Sequence, residues 1–238
     1  MKKILSIILI ILLLTGCKTK EDTLVMVTEA GFAPYEYYEN GEIVGVDIDI
    51  ANEIAKSLGK KLEVKDVAFD SIINELKSGK ADIALAGMSI TEERLKEVDF
   101  SNPYVESRQV VIVKEGSNIT DLNQINNKKI AVQLGSIADL DLTEKYPNAN
   151  ISRQKKYLSM AEDLKRDKVD CIVMDYLPAK EIVNKNNQLK ILDGYLFSDT
   201  YGIAVKKGNT KLVEEINKVL ANLEKDGKID QYVINHSN

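Results

Sequence analysis

The chain has 238 residues, with 32 Lys and Arg against 37 Asp and Glu and a single histidine, which gives a formal net charge of −5. An acidic excess argues against a nucleic-acid-binding surface, because such a surface requires clustered positive charge. The length suits one large domain or two lobes of ordinary size.

The first 17 residues have the pattern of an export signal. Lys2 and Lys3 precede an apolar run, residues 4–14, which is too short to span a bilayer as a permanent helix. Leu14-Thr15-Gly16-Cys17 resembles a lipobox, which predicts cleavage before Cys17 and acylation of its thiol. An ordinary signal peptide with an incidental cysteine is the alternative. Two or more acyl chains give stable anchoring, so we expect an exported protein held to the cell membrane by lipid, on the extracellular face or in the periplasm.

Residues 18–23 are predicted to be a short polar tether. Loss of Lys2 and Lys3 with the signal leaves 30 basic against 37 acidic side chains, a net charge of about −7. The other cysteine, Cys171, lies in an apolar run, which predicts a buried structural thiol. His236 is predicted to be a surface residue, and we expect no metal, no cofactor and no catalytic residue.

Predicted strands and helices alternate in two series. The first series is strand 24–28, helix 49–58, strand 61–67, a helix and strand 82–86. The second series is strand 129–133, helix 137–146, strand 151–155, a helix and strand 169–174. Continuously apolar strands connected by helices favour parallel sheets covered on both faces.

Two segments at an offset of 88 residues resemble each other. Residues 69–83 align with residues 157–171, and the coinciding residues are Ser71 and Ser159, Leu76 and Leu164, Lys77 and Lys165, Lys80 and Lys168, and Asp82 and Asp170. Each segment predicts a helix capped by Asp or Ser, followed by a strand. In the second segment, Ser159 and Glu162 have the spacing of a capping box. The repeat favours two similar α/β lobes, and chance identity over one helix–strand unit is the alternative.

Two further apolar stretches, 109–114 and 201–206, are predicted to cross between the lobes and form a hinge. We therefore expect an α/β protein with two open sheets joined by a two-strand hinge. Residues 24–108 and 202–238 would form lobe 1, and residues 109–201 would form lobe 2. The helix predicted over 211–224 would pack on the first lobe.

The turn after strand 82–86 is a candidate ligand site. Ligands in open α/β sheets bind at the carboxyl ends of strands, and this turn lies at such an end. Gly87 allows the backbone to approach a ligand closely, and the N–H groups of Ser89 to Thr91 lie at a predicted helix start.

Arg94 adds a guanidinium that can hold a carboxylate with two hydrogen bonds. On a solvated face it would instead pair with Glu93 or Glu97. A similar turn, Gly135-Ser136-Ile137, occurs in the other lobe. Two helix N-termini that face one cleft predict a small ligand with an anionic group.

Three segments carry a family resemblance: "GFAPYEY…GEIVGVDIDIANEIAKSLG", "AGMSITEERLKEVDFSNPY" and "VDCIVMD". They resemble the polar amino-acid substrate-binding proteins of ABC importers, which are bacterial extracellular solute-binding proteins of family 3. The resemblance covers nearly all of the chain after the signal, in order and spacing. It implies a two-lobed, periplasmic-binding-protein-like (Venus flytrap) fold that closes on an amino acid. The implied partners are that ligand and a membrane permease, with the protein itself a monomer.

The resemblance also implies roles for single residues. Arg94 falls where the family's arginine clamps the α-carboxylate of the ligand, assisted by Ser89 and the backbone of Ile137. Asp175 falls where an aspartate binds the α-ammonium, together with the carbonyl of Gly87. A helix N-cap before Pro178 is the alternative for Asp175.

The ligand's side chain would meet a second group of residues. Phe32 and Phe69 fall on the two aromatic positions that sandwich it, with core packing as the alternative. Glu29 can reach its distal end. Gln133 and Met88 would form the wall, and Ser136 belongs to the site through its turn.

Departures from the family pattern bear on specificity. Ile137 stands where many relatives have a hydroxyl residue, so only its backbone N–H can bind the ligand's carboxylate. Ala86 stands where some basic-amino-acid binders have a serine. Gln133 stands where glutamine-specific relatives carry a lysine. No basic residue is predicted to pair with Glu29, so the sequence favours arginine or lysine as the ligand. Relatives of other specificity also have an acid at this position.

Two rival functions remain open at this point. A dehydratase-type enzyme on the same fold could use Glu29 and Asp175 as an acid–base pair, but no Ser-His-Asp set or metal-ligand cluster accompanies them. A ligand-sensing domain would have to act through a separate partner, since no transmembrane pattern follows in this sequence.

Overall fold

A computed structural model describes residues 22–237, and the predicted signal and Cys17 lie outside them. Its first large sheet has the strand order β4-β1-β5-β13-β6. These strands are β1 (Thr23–Thr28), β4 (Lys61–Asp66), β5 (Ile83–Ala84), β6 (Val98–Phe100) and β13 (Ala204–Lys206). β1 pairs in parallel with β4 and β5, whereas β13 is antiparallel to β5 and β6.

Helices pack around this sheet, and several of them bury an apolar stripe. They are α1 (Val46–Ser57), α2 (Ile72–Lys77), α3 (Glu92–Glu97), α7 (Thr210–Lys225) and α8 (Lys228–His236). Ile50 and Ile54 of α1 are fully buried, and α1 contacts both α7 and α8. The buried residues Ile216, Leu220 and Leu223 of α7 have helical spacing. The prediction that this helix packs on the first lobe is confirmed, whereas α8 was not predicted.

The second large sheet has the order β11-β7-β10-β8-β9, and β12 also pairs with β7. Its strands are β7 (Val105–Lys114), β8 (Lys129–Gln133), β9 (Asn150–Gln154), β10 (Cys171–Asp175), β11 (Leu189–Ile191) and β12 (Phe197–Tyr201). Its helices are α4 (Ile137–Lys145), α5 (Tyr157–Lys165) and α6 (Tyr176–Asn184). β8 is parallel to β9 and β10, as the apolar strands predict.

The sequence repeat corresponds to equivalent structure in the two sheets. Asp82 precedes β5 and accepts the Val25 N–H of β1 at 2.8 Å. Asp170 precedes β10 and accepts the Lys129 N–H of β8 at 2.7 Å. Ser71 occupies the N-cap position of α2, as predicted, although its side chain makes no cap hydrogen bond. The predicted cap at Ser159 is wrong, because α5 begins at Tyr157 with Lys156 as its N-cap residue and Ser159 lies inside the helix.

The chain passes between the two sheets at residues 101–104 and 202–203. These segments are bonded to each other, since the Ser101 N–H donates to the Ile203 carbonyl at 2.9 Å and the Tyr104 N–H to the Tyr201 carbonyl at 3.0 Å. The predicted crossing at 201–206 contains the observed one, between the end of β12 at Tyr201 and the start of β13 at Ala204. The predicted crossing at 109–114 is misplaced, because these residues lie inside β7 and the chain passes earlier, at residues 101–104. β7 begins before residue 109 and β1 already includes Thr23, while the lobe and tether bounds themselves stay a prediction.

Candidate functional site

One narrow cavity lies between the two sheets, at the carboxyl ends of β1, β5, β8 and β10. Its lining residues come from both lobes: Glu29, Phe32, Glu36, Phe69, Ala86, Gly87, Ser89, Gln133, Ser136, Ile137, Tyr157 and Asp175. The cavity measures about 10 Å³, room for about one water molecule. An amino acid can therefore enter only if the lobes separate.

Arg94 lies at the boundary between the lobes. The Thr91 hydroxyl caps α3 by accepting the Arg94 N–H, and the Arg94 side chain is buried. Its guanidinium donates to the Ser89 carbonyl at 2.6 Å and to the Gly135 carbonyl of the other lobe at 3.0 Å. It also lies 5.4 Å from the centre of the Phe69 ring. Arg94 is not among the lining residues, but Ser89 and Phe69, which it contacts, are.

Burial lowers the pKa of Arg94 to about 10, so the guanidinium stays charged at neutral pH. The alternative, a surface pair with Glu97, is not what the structure shows, because Glu97 pairs with Lys77.

Asp175 lies opposite, at the end of β10. It accepts hydrogen bonds from the Ser107 and Tyr201 hydroxyls, both at 2.6 Å. Although it occupies the N-cap position of α6, its side chain does not cap the helix. Burial, and then repulsion from Asp199, raises the pKa of Asp175 to about 6.

Asp199 was not singled out from the sequence. It accepts from the Ser89 hydroxyl at 2.5 Å and from the Gln109 amide at 3.3 Å, and burial raises its pKa. Asp175, which is buried, and Asp199, which is partly buried, therefore form an acidic pair that a cationic group would stabilise.

Glu29 follows β1 and is buried at the other end of the cavity. Its Oε2 accepts from the Gln133 amide at 3.0 Å, and its Oε1 pairs with the Lys156 ammonium. Burial raises the pKa of Glu29, and Lys156 opposes that rise. The assumption that Glu29 is uncompensated is therefore wrong, because Lys156 reaches it from the opposite lobe.

Aromatic rings line the middle of the cavity. Phe32 and Phe69 both do so, as predicted, but Phe32 stacks on Tyr157, with ring centroids 5.4 Å apart. Gly87 has a φ of 52°, and a Cβ there would lie 2.5 Å from Phe32 Cε1, so this position requires glycine. The repeat offered a signal for Tyr157, because it aligns with Phe69.

The second turn is held by its own helix. Ser136 caps α4 by accepting the Asp139 N–H at 3.2 Å, and the Gly135 N–H donates to Asp139 Oδ2 at 3.0 Å. Ile137 begins α4, where helix geometry leaves N–H groups without an intrahelical acceptor. The turn is thus oriented to offer backbone donors at the cavity.

Met88 differs from its predicted place. Its side chain belongs to the apolar cluster of the first lobe with Ile72 and Leu76, and it is not a lining residue. The neighbours Gly87 and Ser89 face the cavity, which turns the intervening side chain toward the core.

A buried acid pair that the sequence did not reveal lies under Gly87. Asp47 accepts the Gly87 N–H at 3.1 Å and the Tyr104 hydroxyl at 2.8 Å, and burial raises its pKa to about 6. Burial, and then Asp47, raises the pKa of Glu36 well above its ordinary value. Oε2 of Glu36 has no hydrogen-bond partner among the described residues.

Cys171 and His236 lie outside the lining of the cavity. Cys171 is a buried free thiol, as predicted, and burial raises its pKa to about 12. His236 is partly buried rather than a surface residue, since its ring lies 3.2 Å from the Tyr37 hydroxyl and 2.9 Å from Asp49. Within residues 22–237 no group of three or more His, Cys, Asp or Glu could hold a metal ion. None of the helices described there has the length and apolar composition that crossing a membrane requires.

Two lobes that enclose a buried, charged cavity define a solute-binding protein. The chain belongs to the bacterial extracellular solute-binding proteins, family 3, whose family model matches residues 24–236. Residues 1–17 match the prokaryotic membrane lipoprotein lipid attachment site. These matches confirm the predicted family, the two-lobed fold, and an exported, lipid-anchored binding protein rather than an enzyme.

Named relatives agree with this assignment. The arginine-binding extracellular protein ArtP of Bacillus subtilis is 31% identical over 225 residues, which cover 91% of this chain and 87% of ArtP. The ABC transporter glutamine-binding protein GlnH of the same species is 33% identical over 261 residues, covering 97% and 96%. The crystal structure of AbpA from Streptococcus pneumoniae, an amino acid ABC transporter substrate-binding protein bound to L-arginine, has a TM-score of 0.86 at 34% identity, covering 92% of this chain and 95% of AbpA.

Proposed function

We propose that this protein binds one amino acid between its lobes and presents it to the permease of an ABC importer. The observation that carries the proposal is a pair of opposite charges beside one cavity, which Asp175 lines directly and Arg94 adjoins through the lining residues Ser89 and Phe69. The hydrogen-bond partners of Arg94 and Asp175 within the described residues are neutral carbonyls and hydroxyls. A buried charge with only neutral partners gains from an oppositely charged ligand group, and an amino acid supplies both groups.

The two ends of the ligand would be held by different lobes. Its α-carboxylate would replace carbonyl oxygens as the acceptor of Arg94, with the Ser89 hydroxyl and the Ile137 N–H close by. Its α-ammonium would sit at Asp175 and Asp199 under the Gly87 carbonyl. Phe32 and Phe69 would flank the side chain.

Magnitudes explain why both lobes are required. A micromolar dissociation constant corresponds to about −8 kcal/mol. One charge-assisted hydrogen bond contributes roughly 1.5–3 kcal/mol net. Several such contacts are needed, and they exist together only when the lobes are closed, so the ligand stabilises the closed form.

We propose arginine as the first candidate ligand, with lysine next. Glu29 lines the cavity, and the ammonium of Lys156, which pairs with it, also lies 3.9 Å from a second acid outside the lining, Asp66, so that among the described ion pairs one cation faces two acids. The local charge excess is negative and favours a cationic side chain. ArtP and AbpA, one named for arginine and one bound to it, support the same choice, whereas GlnH supports glutamine as the rival.

A thermal-shift screen of residues 18–238, which are the mature protein without its lipidated Cys17, against the twenty amino acids tests the proposal. A ligand at 100 times its dissociation constant stabilises the folded state by about 2.7 kcal/mol, which a melting curve detects. We expect the largest shift with arginine or lysine and recovery of the ligand unchanged by mass spectrometry. No shift with any amino acid would contradict the proposed function.

A further inference from the structure

Lys156 crosses the cleft and contacts the acid that the ligand's side chain would meet. It occupies the N-cap position of α5 in the second lobe, and its ammonium pairs with Glu29 at the end of β1 in the first lobe. The two residues are 127 positions apart in the chain. The Glu29 side chain is 2% exposed, whereas that of Lys156 is 46% exposed.

Both oxygens of Glu29 are engaged from the second lobe. Oε1 takes the Lys156 ammonium and Oε2 takes the Gln133 amide. The pairing of ammonium with carboxylate is the same chemistry that a lysine or arginine ligand would offer to Glu29. A neutral ligand side chain does not compete for the Glu29 carboxylate, so Lys156 can keep its ion pair with Glu29.

We propose that Lys156 is a tethered competitor for Glu29, which sets how strongly the site prefers cationic over neutral amino-acid side chains. The inference rests on the proposed function, because it needs an amino acid in the cavity. A cationic ligand has to displace Lys156 to reach Glu29, and the affinity for that ligand is reduced by the lost ion pair. An uncharged ligand of the same shape keeps the pair.

The structure lets Lys156 leave at small cost. Its side chain is half exposed, so a released ammonium regains water at once. Its side chain does not cap α5, and the helix start therefore does not depend on it. Replacement of the side chain should leave the fold intact.

Calorimetric titration with L-arginine and L-citrulline tests the proposal, because citrulline has the shape of arginine with a neutral urea group. The quantity to compare is the ratio of the arginine affinity to the citrulline affinity. In Lys156→Met we expect this ratio to be about tenfold higher than in the unmodified protein. Lys156→Arg should keep the original ratio, since it keeps the competing cation. Lys155→Met is the matched control, because it removes an exposed neighbouring lysine, and it should change neither affinity.

Two results would overturn the inference while leaving the proposed function intact. An equal change in affinity for arginine and citrulline would mean that Lys156 only stabilises the contact between the lobes and does not affect which ligand is preferred. Weaker arginine binding in Lys156→Met would mean that Lys156 assists the ligand. Lys156→Gln provides a second neutral variant if Lys156→Met fails to fold. Failure of the unmodified protein to bind any amino acid would instead contradict the proposed function itself.

Discussion

At the residue scale, Arg94 is a buried side chain that contacts both lobes. Its planar fork is buried, spans both lobes and donates to carbonyl oxygens that a carboxylate would outcompete. A lysine would keep the charge but lose the two-pronged geometry.

Arg94→Ala should weaken amino-acid binding by at least about 30-fold, because removing one partner of a buried charge pair costs roughly 2–5 kcal/mol. Calorimetry measures the affinity, and a cooperative melting curve shows that the fold persists. Arg108→Ala, at an exposed arginine stacked on Tyr176, is the control and should bind normally. An affinity within threefold of the original for Arg94→Ala would remove the carboxylate role.

The turn after the strand, together with the family resemblance, pointed to Gly87 and Ser89, which line the cavity, whereas the role of Arg94 stays a prediction. Local sequence could not predict that Lys156 pairs with Glu29 or that Asp199 joins Asp175. Those pairs form only when the two lobes are assembled, and nothing in the neighbouring residues indicates the partner. Met88 was misplaced because the sequence does not show which way a residue in a turn faces.

At the scale of elements, the repeat was the most informative feature, since Asp82 and Asp170 make equivalent bonds in both lobes. Other elements were missed for physical reasons. The hairpin of β2 (Tyr37–Glu39) and β3 (Glu42–Val44) turns at Asn40-Gly41, with φ of 51° and 88°, a pair typical of tight hairpins. β5 is shorter than predicted because the chain leaves the sheet to form the turn at Gly87.

The first lobe depends on α7 for its cover. Ile216→Ala should lower the free energy of unfolding by about 2–5 kcal/mol, because it leaves a cavity at a fully buried position. Chemical denaturation measures the change. Lys218→Ala, in the same helix but exposed, should cost under about 1 kcal/mol. Similar losses in both variants would mean that α7 packs loosely.

The whole molecule contains several buried acids with raised pKa values: Glu29, Glu36, Asp47, Asp175 and Asp199. In the unfolded chain such groups titrate near pH 4. Between about pH 4 and 7 the folded protein therefore binds more protons than the unfolded one, and its stability falls as pH rises.

We accordingly expect the ligand-free protein to melt at a higher temperature at pH 5 than at pH 8. Glu36→Gln keeps the shape of the side chain and removes its titration, so it should reduce this difference, mainly by raising the melting temperature at pH 8. Glu39→Gln, at an exposed neighbour, is the control and should leave the pH dependence unchanged. A melting temperature that rises from pH 5 to pH 8 would contradict the expectation.

The narrowness of the cavity also governs the lifetime of the complex. The cavity of the closed protein has room for about one water molecule among its lining side chains, which is far less space than an amino acid occupies. We therefore expect release to require a rotation of one lobe about the paired segments 101–104 and 202–203. The dissociation rate would then be limited by the rate at which these short connections bend, even for a ligand that is held weakly.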